Sequence, residues 1–234
     1  MEVDKNKLYN CTPRIQAKGF TELMLCVLHN DLESASKLLS EKDFKSEDIN
    51  DKNSMSWTAL HIACRNSAGF SSEEMVTFLL EKGANPNVKD DTSCTPLHYA
   101  SEYSNSESSL ETIKILIRNG ANPNAKDKSK CTPLHVASFY SEDTSSLATV
   151  EALLKNGADP NAKELFYWWT PLEAASRNSK DTISLKTVDL LLRNGATPID
   201  KRTEILKLEI DIKSLIEENG KLQQRIEILE SEED

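Results

Sequence analysis

Short apolar runs return along the chain at a nearly constant interval. TELMLCV begins at residue 21, TALHIAC at 58, TPLHYAS at 95, TPLHVAS at 132 and TPLEAAS at 170, so the leading threonines lie 37, 37, 37 and 38 residues apart. Each of the last four runs is followed by a leucine-rich segment that ends in glycine: FLLEKG, ILIRNG, ALLKNG and LLLRNG. A period of this length predicts stacked units, each made of one supersecondary motif.

Local signals predict two helices in each unit. A threonine before proline starts the first helix, because its hydroxyl caps free N–H groups and proline has no N–H to leave unpaired. The second helix is predicted, for example, from Glu73 to Lys82, with Met75, Phe78 and Leu79 at helical spacing. A glycine in the left-handed region then ends it, and the four glycines are Gly83, Gly120, Gly157 and Gly195.

The TPLH opening and the GANPN or GADPN closing together resemble the ankyrin repeat, over residues 19–199. The resemblance implies an all-α solenoid of helix pairs joined by β-hairpin fingers, which binds proteins through the concave helix face and the finger tips. It places repeats near 19–56, 57–93, 94–130, 131–168 and 169–199. An N-terminal extension, residues 1–18, precedes the repeats, and a long helix is predicted in residues 200–234.

The sequence departs from the family pattern in three ways. Four extra residues, rich in serine, separate the helices of the last four repeats, and we expect them to form solvated connectors. The glycine that the family often places two residues before the threonine is replaced by Ser56, Ser93, Lys130 and Trp168. Without it, the usual tight turn at the finger tip is not expected. The first repeat is irregular and keeps a short turn at Asn30 and Asp31, as in a capping unit.

Composition narrows the classes of partner and compartment. The formal net charge of −10 disfavours nucleic acid, because non-specific affinity for phosphates comes from Lys and Arg. The charged N-terminus is unlike a signal peptide, and no run of 18 apolar residues predicts a membrane span. Five scattered cysteines do not form a disulfide framework, so we expect a reducing compartment, cytoplasmic or nuclear.

The residues that could carry chemistry occupy positions that the repeat pattern already explains. Cys94 with His98 and Cys131 with His135 share one spacing and suggest zinc ligands, but equivalent positions of stacked repeats lie about 10 Å apart, too far for one metal. In the family, this histidine hydrogen-bonds the backbone of the turn. We therefore expect no catalytic residue, no cofactor and no metal; a redox or metal sensor is the outlying alternative.

Aromatic residues gather at the positions that contact partners in the family. LFYWW at 165–169 places large apolar residues at the tip of the fourth finger, which has one residue more than the others. Exposed aromatic patches usually mean recognition, although packing against a neighbouring finger or the C-terminal helix is the alternative. The predicted contact residues are Trp57, Tyr103, Phe139, Tyr140, Phe166, Tyr167, Trp168, Trp169 and Arg177.

The C-terminal segment carries a heptad pattern. Its a and d positions are Ile205, Leu208, Ile212, Leu215, Asn219, Leu222, Ile226 and Leu229. Isoleucine at a with leucine at d favours two parallel strands, and one asparagine at a sets the register. The pattern predicts a homodimer or a hetero-coiled-coil. The alternative is a cap on the solenoid, since Leu206, Ile210 and Ile216 widen the apolar face; both hold if 201–216 dock and 217–230 protrude.

The sequence as a whole predicts a non-catalytic scaffold or adaptor that binds a protein partner. The alternative is a regulatory inhibitor or host-directed effector that blocks one protein target, in which the C-terminal helix is only a cap.

Overall fold

The chain forms a stack of paired helices. A computed structural model describes residues 19–40, 48–67, 71–104, 108–141, 145–177, 182–198 and 201–232. The α-helices in these residues are α1 (Glu22–Leu28), α2 (Leu32–Ser40), α3 (Ala59–Arg65), α4 (Glu73–Glu81), α5 (Pro96–Glu102), α6 (Leu110–Arg118), α7 (Pro133–Phe139), α8 (Leu147–Lys155), α9 (Pro171–Arg177), α10 (Thr182–Arg193) and α11 (Lys201–Glu232). The predicted extension 1–18 lies outside the described residues.

The helices lie in two rows. The first helix of each unit packs on the first helix of the next, from α1 through α3, α5 and α7 to α9, while α4, α6, α8 and α10 form the second row. The first row is the more deeply buried: Leu97, Ala100, Leu134, Ala137 and Leu172 are fully inaccessible to solvent. The predicted all-α repeat stack, followed by a long helix, is confirmed.

Helix ends follow the local signals in the sequence. Thr95 and Thr132 are N-caps with extended backbone, and proline follows each at the first helical position. At the end of α4, Gly83 has φ of +96°. Its N–H donates to the Leu80 carbonyl at 3.0 Å, and the Ala84 N–H donates to the Leu79 carbonyl at 2.9 Å. This pair of bonds closes the helix end.

The finger tips do form tight turns, so the expectation drawn from the missing glycine is wrong. In the finger before α5, the Asp90 N–H donates to the Cys94 carbonyl and the Ser93 N–H donates to the Asp90 carbonyl, both at 3.0 Å. Ser56, Ser93, Lys130 and Trp168 take the left-handed backbone themselves, with φ of +60°, +64°, +61° and +60°. Each of these residues therefore has a strained backbone, because its Cβ makes the left-handed region unfavourable and glycine has no Cβ.

Adjacent fingers are joined by single backbone hydrogen bonds. The Asp91 N–H donates to the Met55 carbonyl at 3.3 Å, and the Lys128 N–H to the Thr92 carbonyl at 3.0 Å. The Leu165 N–H continues the series by donating to the Ser129 carbonyl at 2.8 Å. The predicted fingers are thus hydrogen-bonded turns, and within the described residues none contains an assigned strand.

Serines at the ends of the inserted segments are buried between repeats. Ser104 is 8% exposed and Ser145 is 1% exposed, and their hydroxyls lie 3.2 Å apart. The Thr149 hydroxyl donates to Ser104 Oγ at 2.6 Å. One repeat earlier, Ser67, Ser108 and Thr112 make the same contacts. The expected solvated connectors are therefore corrected at their ends, where they link successive repeats; residues 68–70, 105–107 and 142–144 lie outside the described part.

Candidate functional site

The tip of the fourth finger presents three large aromatic side chains to solvent. Phe166 and Tyr167 are each 68% exposed, and Trp168 is 64% exposed. We call these three residues the aromatic tip. Leu165, which precedes them, is 44% exposed. Exposures this large are inconsistent with packing against a neighbouring finger or the C-terminal helix, the alternative that the sequence left open for these side chains.

A buried carboxylate holds the backbone of this enlarged finger. Glu164 is 8% exposed and accepts the N–H groups of Phe166 at 2.7 Å, Tyr167, and Trp169 at 3.3 Å. Burial acts to raise the pKa of Glu164, but these three N–H donors stabilise the charged form more strongly and lower it. The fixed backbone keeps the aromatic tip in its outward position.

The longer loop is matched by a longer side chain. In the shorter fingers the equivalent acceptor is one carbon shorter: Asp90 accepts the Cys94 N–H at 2.9 Å, Asp127 accepts the Cys131 N–H at 2.8 Å, and Asn53 accepts the Trp57 N–H at 3.0 Å. Glutamate adds one methylene where the loop adds one residue. Sequence reasoning missed this role, although the change from Asp to Glu in this column was visible.

Cationic side chains lie beside the aromatic rings. The Arg177 guanidinium carbon is 4.1 Å from the centroid of the Trp169 ring, and that ring stacks on Tyr167 at 4.9 Å. Lys163 Nζ lies 5.8 Å from the Trp168 ring centroid. Five of the predicted contact residues therefore lie on one surface: Phe166, Tyr167, Trp168, Trp169 and Arg177. Lys163 belongs to it as well and was not predicted.

Trp57 is placed in the core, which corrects its assignment as a contact residue. It is 3% exposed and its ring lies 4.7 Å from Tyr99. Tyr99 belongs to the following repeat, whose first helix covers the tryptophan. Trp169 occupies the same column of the repeat pattern but is followed by no further first helix in the described residues, so it is only partly buried.

The remaining predicted contacts lie at the ends of first helices. Tyr103, at the end of α5, is half-buried, with the Arg65 guanidinium carbon 4.3 Å from its ring centroid. Phe139 and Tyr140, at the end of α7, meet edge to face at 5.0 Å. Phe139 is 37% exposed. Their role in binding stays a prediction.

The repeated histidines connect each unit to the next finger. His98 Nδ1 accepts the Thr95 N–H at 3.1 Å, so the ring proton sits on Nε2, which donates to the Cys131 carbonyl at 3.2 Å. His61 and His135 make the same pair of contacts. Burial lowers the pKa of His61 and of His98 to about 4, which keeps both rings neutral at neutral pH.

The cysteines of the repeat are poor nucleophiles. Burial raises the pKa of Cys94 and of Cys131 to about 12, and raises that of Cys64 well above its usual range. A thiol that stays protonated reacts slowly with oxidants and electrophiles. Within the described residues, no three His, Cys, Asp or Glu side chains converge on a point that could hold a metal ion.

The C-terminal helix is anchored by one of its faces. Thr203 is fully buried, and its hydroxyl donates to Glu173 Oε1 at 3.3 Å. Ile210 packs on the core. The helix docks over a shorter length than the predicted 201–216, because every side chain described from residue 211 to 224 is exposed. None of the described helices is both long and apolar enough to span a membrane.

Comparisons with known proteins agree with this architecture. A family model described as ankyrin repeats (three copies) matches residues 3–90, 23–127, 70–164 and 107–202. Ankyrin repeat protein L88 of Acanthamoeba polyphaga mimivirus is 37% identical over 95 residues, a match that covers 37% of this chain and 10% of that protein. Protein L91 of the same virus is 37% identical over 90 residues, which covers 36% of this chain and 14% of that protein. The chain thus matches only a small part of these relatives' length.

Proposed function

Because the chain belongs to the ankyrin repeat family, whose repeats are typical protein-binding scaffolds, we propose that it is a non-catalytic adaptor that binds a protein partner through the fourth finger. The observation that carries this proposal is the exposure of the aromatic tip, at 64–68% for each of its three side chains. Water penalises such exposure, and burying it against a partner removes the penalty.

The chemistry of this surface indicates what kind of partner surface would bind it. Aromatic rings give large contact areas with few rotatable bonds, so little conformational entropy is lost on binding. Because Glu164 already fixes the finger backbone, still less ordering is required. Lys163 and Arg177 beside the rings favour an apolar pocket rimmed by acidic groups. Tyr103, Phe139 and Tyr140 would extend the contact along the ends of the first helices.

A paired capture tests the proposal. The variant carries Phe166→Ser, Tyr167→Ser and Trp168→Ser; the matched control carries Lys128→Ser and Lys130→Ser at the tip of the third finger. All three chains are first compared by circular dichroism and thermal melting. Each buried hot-spot ring contributes about 2 kcal/mol or more, so loss of the tip should weaken the captured partner by at least 30-fold, roughly.

The three chains give a clear decision. A protein held by the native chain and by the third-finger control, and lost from the tip variant, supports the fourth finger as the binding site. The same proteins held by all three chains would overturn it. We place this binding in the cytosol or nucleus, because Cys26, Cys64, Cys94 and Cys131 are all free thiols.

A second candidate is an inhibitor that blocks a single target, with α11 acting only as a cap. The burial of Thr203 against Glu173 favours it, because the helix does cover the last repeat. A strictly monomeric chain that forms a one-to-one complex with its captured partner would select this candidate over an adaptor. An assembly with two or more chains of the protein would exclude it.

A further inference from the structure

The C-terminal helix has two apolar faces, and only one of them docks. Thr203 and Ile210, which occupy the f position of the heptads, face the repeats. The a and d side chains lie on the opposite side of the helix, since f is diametrically opposed to the a/d seam. The apolar members of this seam whose side chains are described are 51–59% exposed: Ile205, Leu208, Ile212, Leu215 and Leu222. Docking therefore leaves the seam open from Ile205 to Leu222, the part whose side chains are described.

We propose that this seam binds the same seam of a second copy of the chain, in a parallel two-stranded coiled coil. The seam cannot pack on the protein's own repeats, because the opposite face of the helix already packs there. From Ile205 to Leu222 the seam runs about 26 Å at 1.5 Å per residue, so a partner must be another extended helix. Isoleucine at a and leucine at d pack well in a parallel dimer.

Asn219 favours pairing with a second copy of the same chain, in the parallel orientation. In a parallel pair in register, a positions face a positions, so Asn219 meets Asn219 and the two amides can bond each other. In an antiparallel pair, a packs against d, and every d residue of the seam is leucine. Each amide would then be buried without a partner, which is unfavourable. A different helix would need its own polar residue at the matching layer.

Charged residues at the e and g positions should make the coiled coil more stable at one end than at the other. In the parallel register, Arg225 at g lies across from Glu230 at e, an attractive pair. Glu204 at g lies across from Glu209, a repulsive pair, at the end that is docked on the repeats. We therefore expect the strands to be held most firmly beyond the docked segment, from Ile212 onward, and the dimer to dissociate on dilution.

Dimer formation would add to the proposed adaptor function. The dimer can form whether or not that function is correct; only its biological role rests on the proposed function. Two parallel helices would carry two repeat stacks at the same end, so two fourth fingers could bind two partner molecules. Effective concentration then raises the apparent affinity for any partner that is itself multivalent. Because the seam and the fourth finger share no residue, dimerisation can fail or succeed independently of partner capture.

The oligomeric state of the full chain tests the proposal. Sedimentation velocity across about 1–100 µM should show a monomer–dimer equilibrium. Leu215→Asp, in the seam, should weaken it at least 100-fold, roughly, because both copies lose a packed leucine and gain a charge. Ser214→Asp, the adjacent control outside the seam, adds the same charge and should leave the equilibrium unchanged. A monomer at every concentration, or a trimer or tetramer, would overturn the proposal.

The orientation has its own readout. In a parallel dimer, two Leu222→Cys chains bring their thiols together at a d position and should form a reducible covalent dimer under mild oxidation. Gln224→Cys, at the outward f position, is the control, and the unchanged chain shows the background from native cysteines. Equal cross-linking of the two variants would overturn the parallel arrangement even if a dimer is present.

Discussion

At the scale of single residues, the finger tips show a strained backbone that carries ordinary side chains. The left-handed region costs a residue with a Cβ roughly 1–2 kcal/mol, and four successive fingers each pay it once. Ser93 and Lys130 adopt φ of +64° and +61° because the turn closes only if that residue bends in this direction. The strain is local, so relieving it should raise the stability of the whole stack.

Lys130→Gly should therefore stabilise the protein. Glycine reaches the left-handed region without a steric penalty, and the net gain after its extra entropy in the unfolded chain is about 0.5–1 kcal/mol. Lys128→Gly is the matched control, because residue 128 is not in the positive-φ region and glycine there should cost about 0.5–1 kcal/mol. Urea unfolding of the three chains gives the order Lys130→Gly, native, Lys128→Gly; the reverse order would contradict the strain argument.

The sequence could predict what each residue does within its own repeat, and not what the next repeat places against it. Threonine caps and terminal glycines depend on local backbone, and they were found at the predicted residues. Trp57 and Trp169 share one column, yet Tyr99 of the next repeat covers the first, whereas the described residues contain no further first helix to cover the second. The position of the aromatic tip likewise depends on Glu164: the sequence shows the change to glutamate in this column but not the three N–H groups that its carboxylate accepts.

At the scale of elements, each histidine ties the start of one first helix to the finger of the next repeat. The described residues contain no further finger beyond the last repeat, and in that repeat the residue at this position is Glu173. Its carboxylate still accepts the Thr170 N–H, at 3.0 Å, while its other oxygen accepts from the Thr203 hydroxyl. A histidine that donates to a carbonyl is thus replaced by a carboxylate that accepts from a hydroxyl. The departure from the repeat pattern marks where α11 begins.

The histidine ties predict a loss of stability in mild acid. The folded pKa of His98 is about 4 and its ordinary value is 6.5, so the unfolded chain takes up the proton first as pH falls. The contribution of His98 is intact above about pH 6.5 and is lost as pH drops towards 4, by roughly 1–2 kcal/mol at about pH 5. His61 and His135 shift in the same direction.

Urea unfolding of the native chain and of His98→Gln at about pH 7.5 and 5 measures this effect. The variant lacks the titrating ring, so its deficit in free energy of unfolding should be largest at the higher pH and should shrink in acid. A deficit that stays constant or grows as pH falls would show that the ring is not held neutral in the folded state.

At the scale of the whole molecule, α11 both covers the last repeat and exposes an apolar seam to solvent. The inner part of α11 covers the last repeat through Thr203 and Ile210, while the apolar seam on its opposite face is exposed from Ile205 to Leu222. Solenoid repeats need a cap with a polar outer face, and a cap alone would not carry five exposed isoleucine and leucine side chains along one seam. One helix therefore serves two purposes: between Thr203 and Ile210 they use opposite faces, and beyond Ile210 only the seam is left.

Two truncations should separate these purposes. A chain ending at Pro198 loses the cover over Glu173 and the last repeat, and should melt several degrees lower, since about 1–2 kcal/mol of lost contacts corresponds to about 2–8 °C in a domain of this size. A chain ending at Glu217 keeps every docked residue and should melt close to the intact protein, yet it lacks Asn219 and the outer seam and should sediment as a monomer. If the chain ending at Glu217 melted as low as the shorter one, the docked segment would extend further than Ile210. If it dimerised as well as the intact chain, the outer heptads would not hold the strands together.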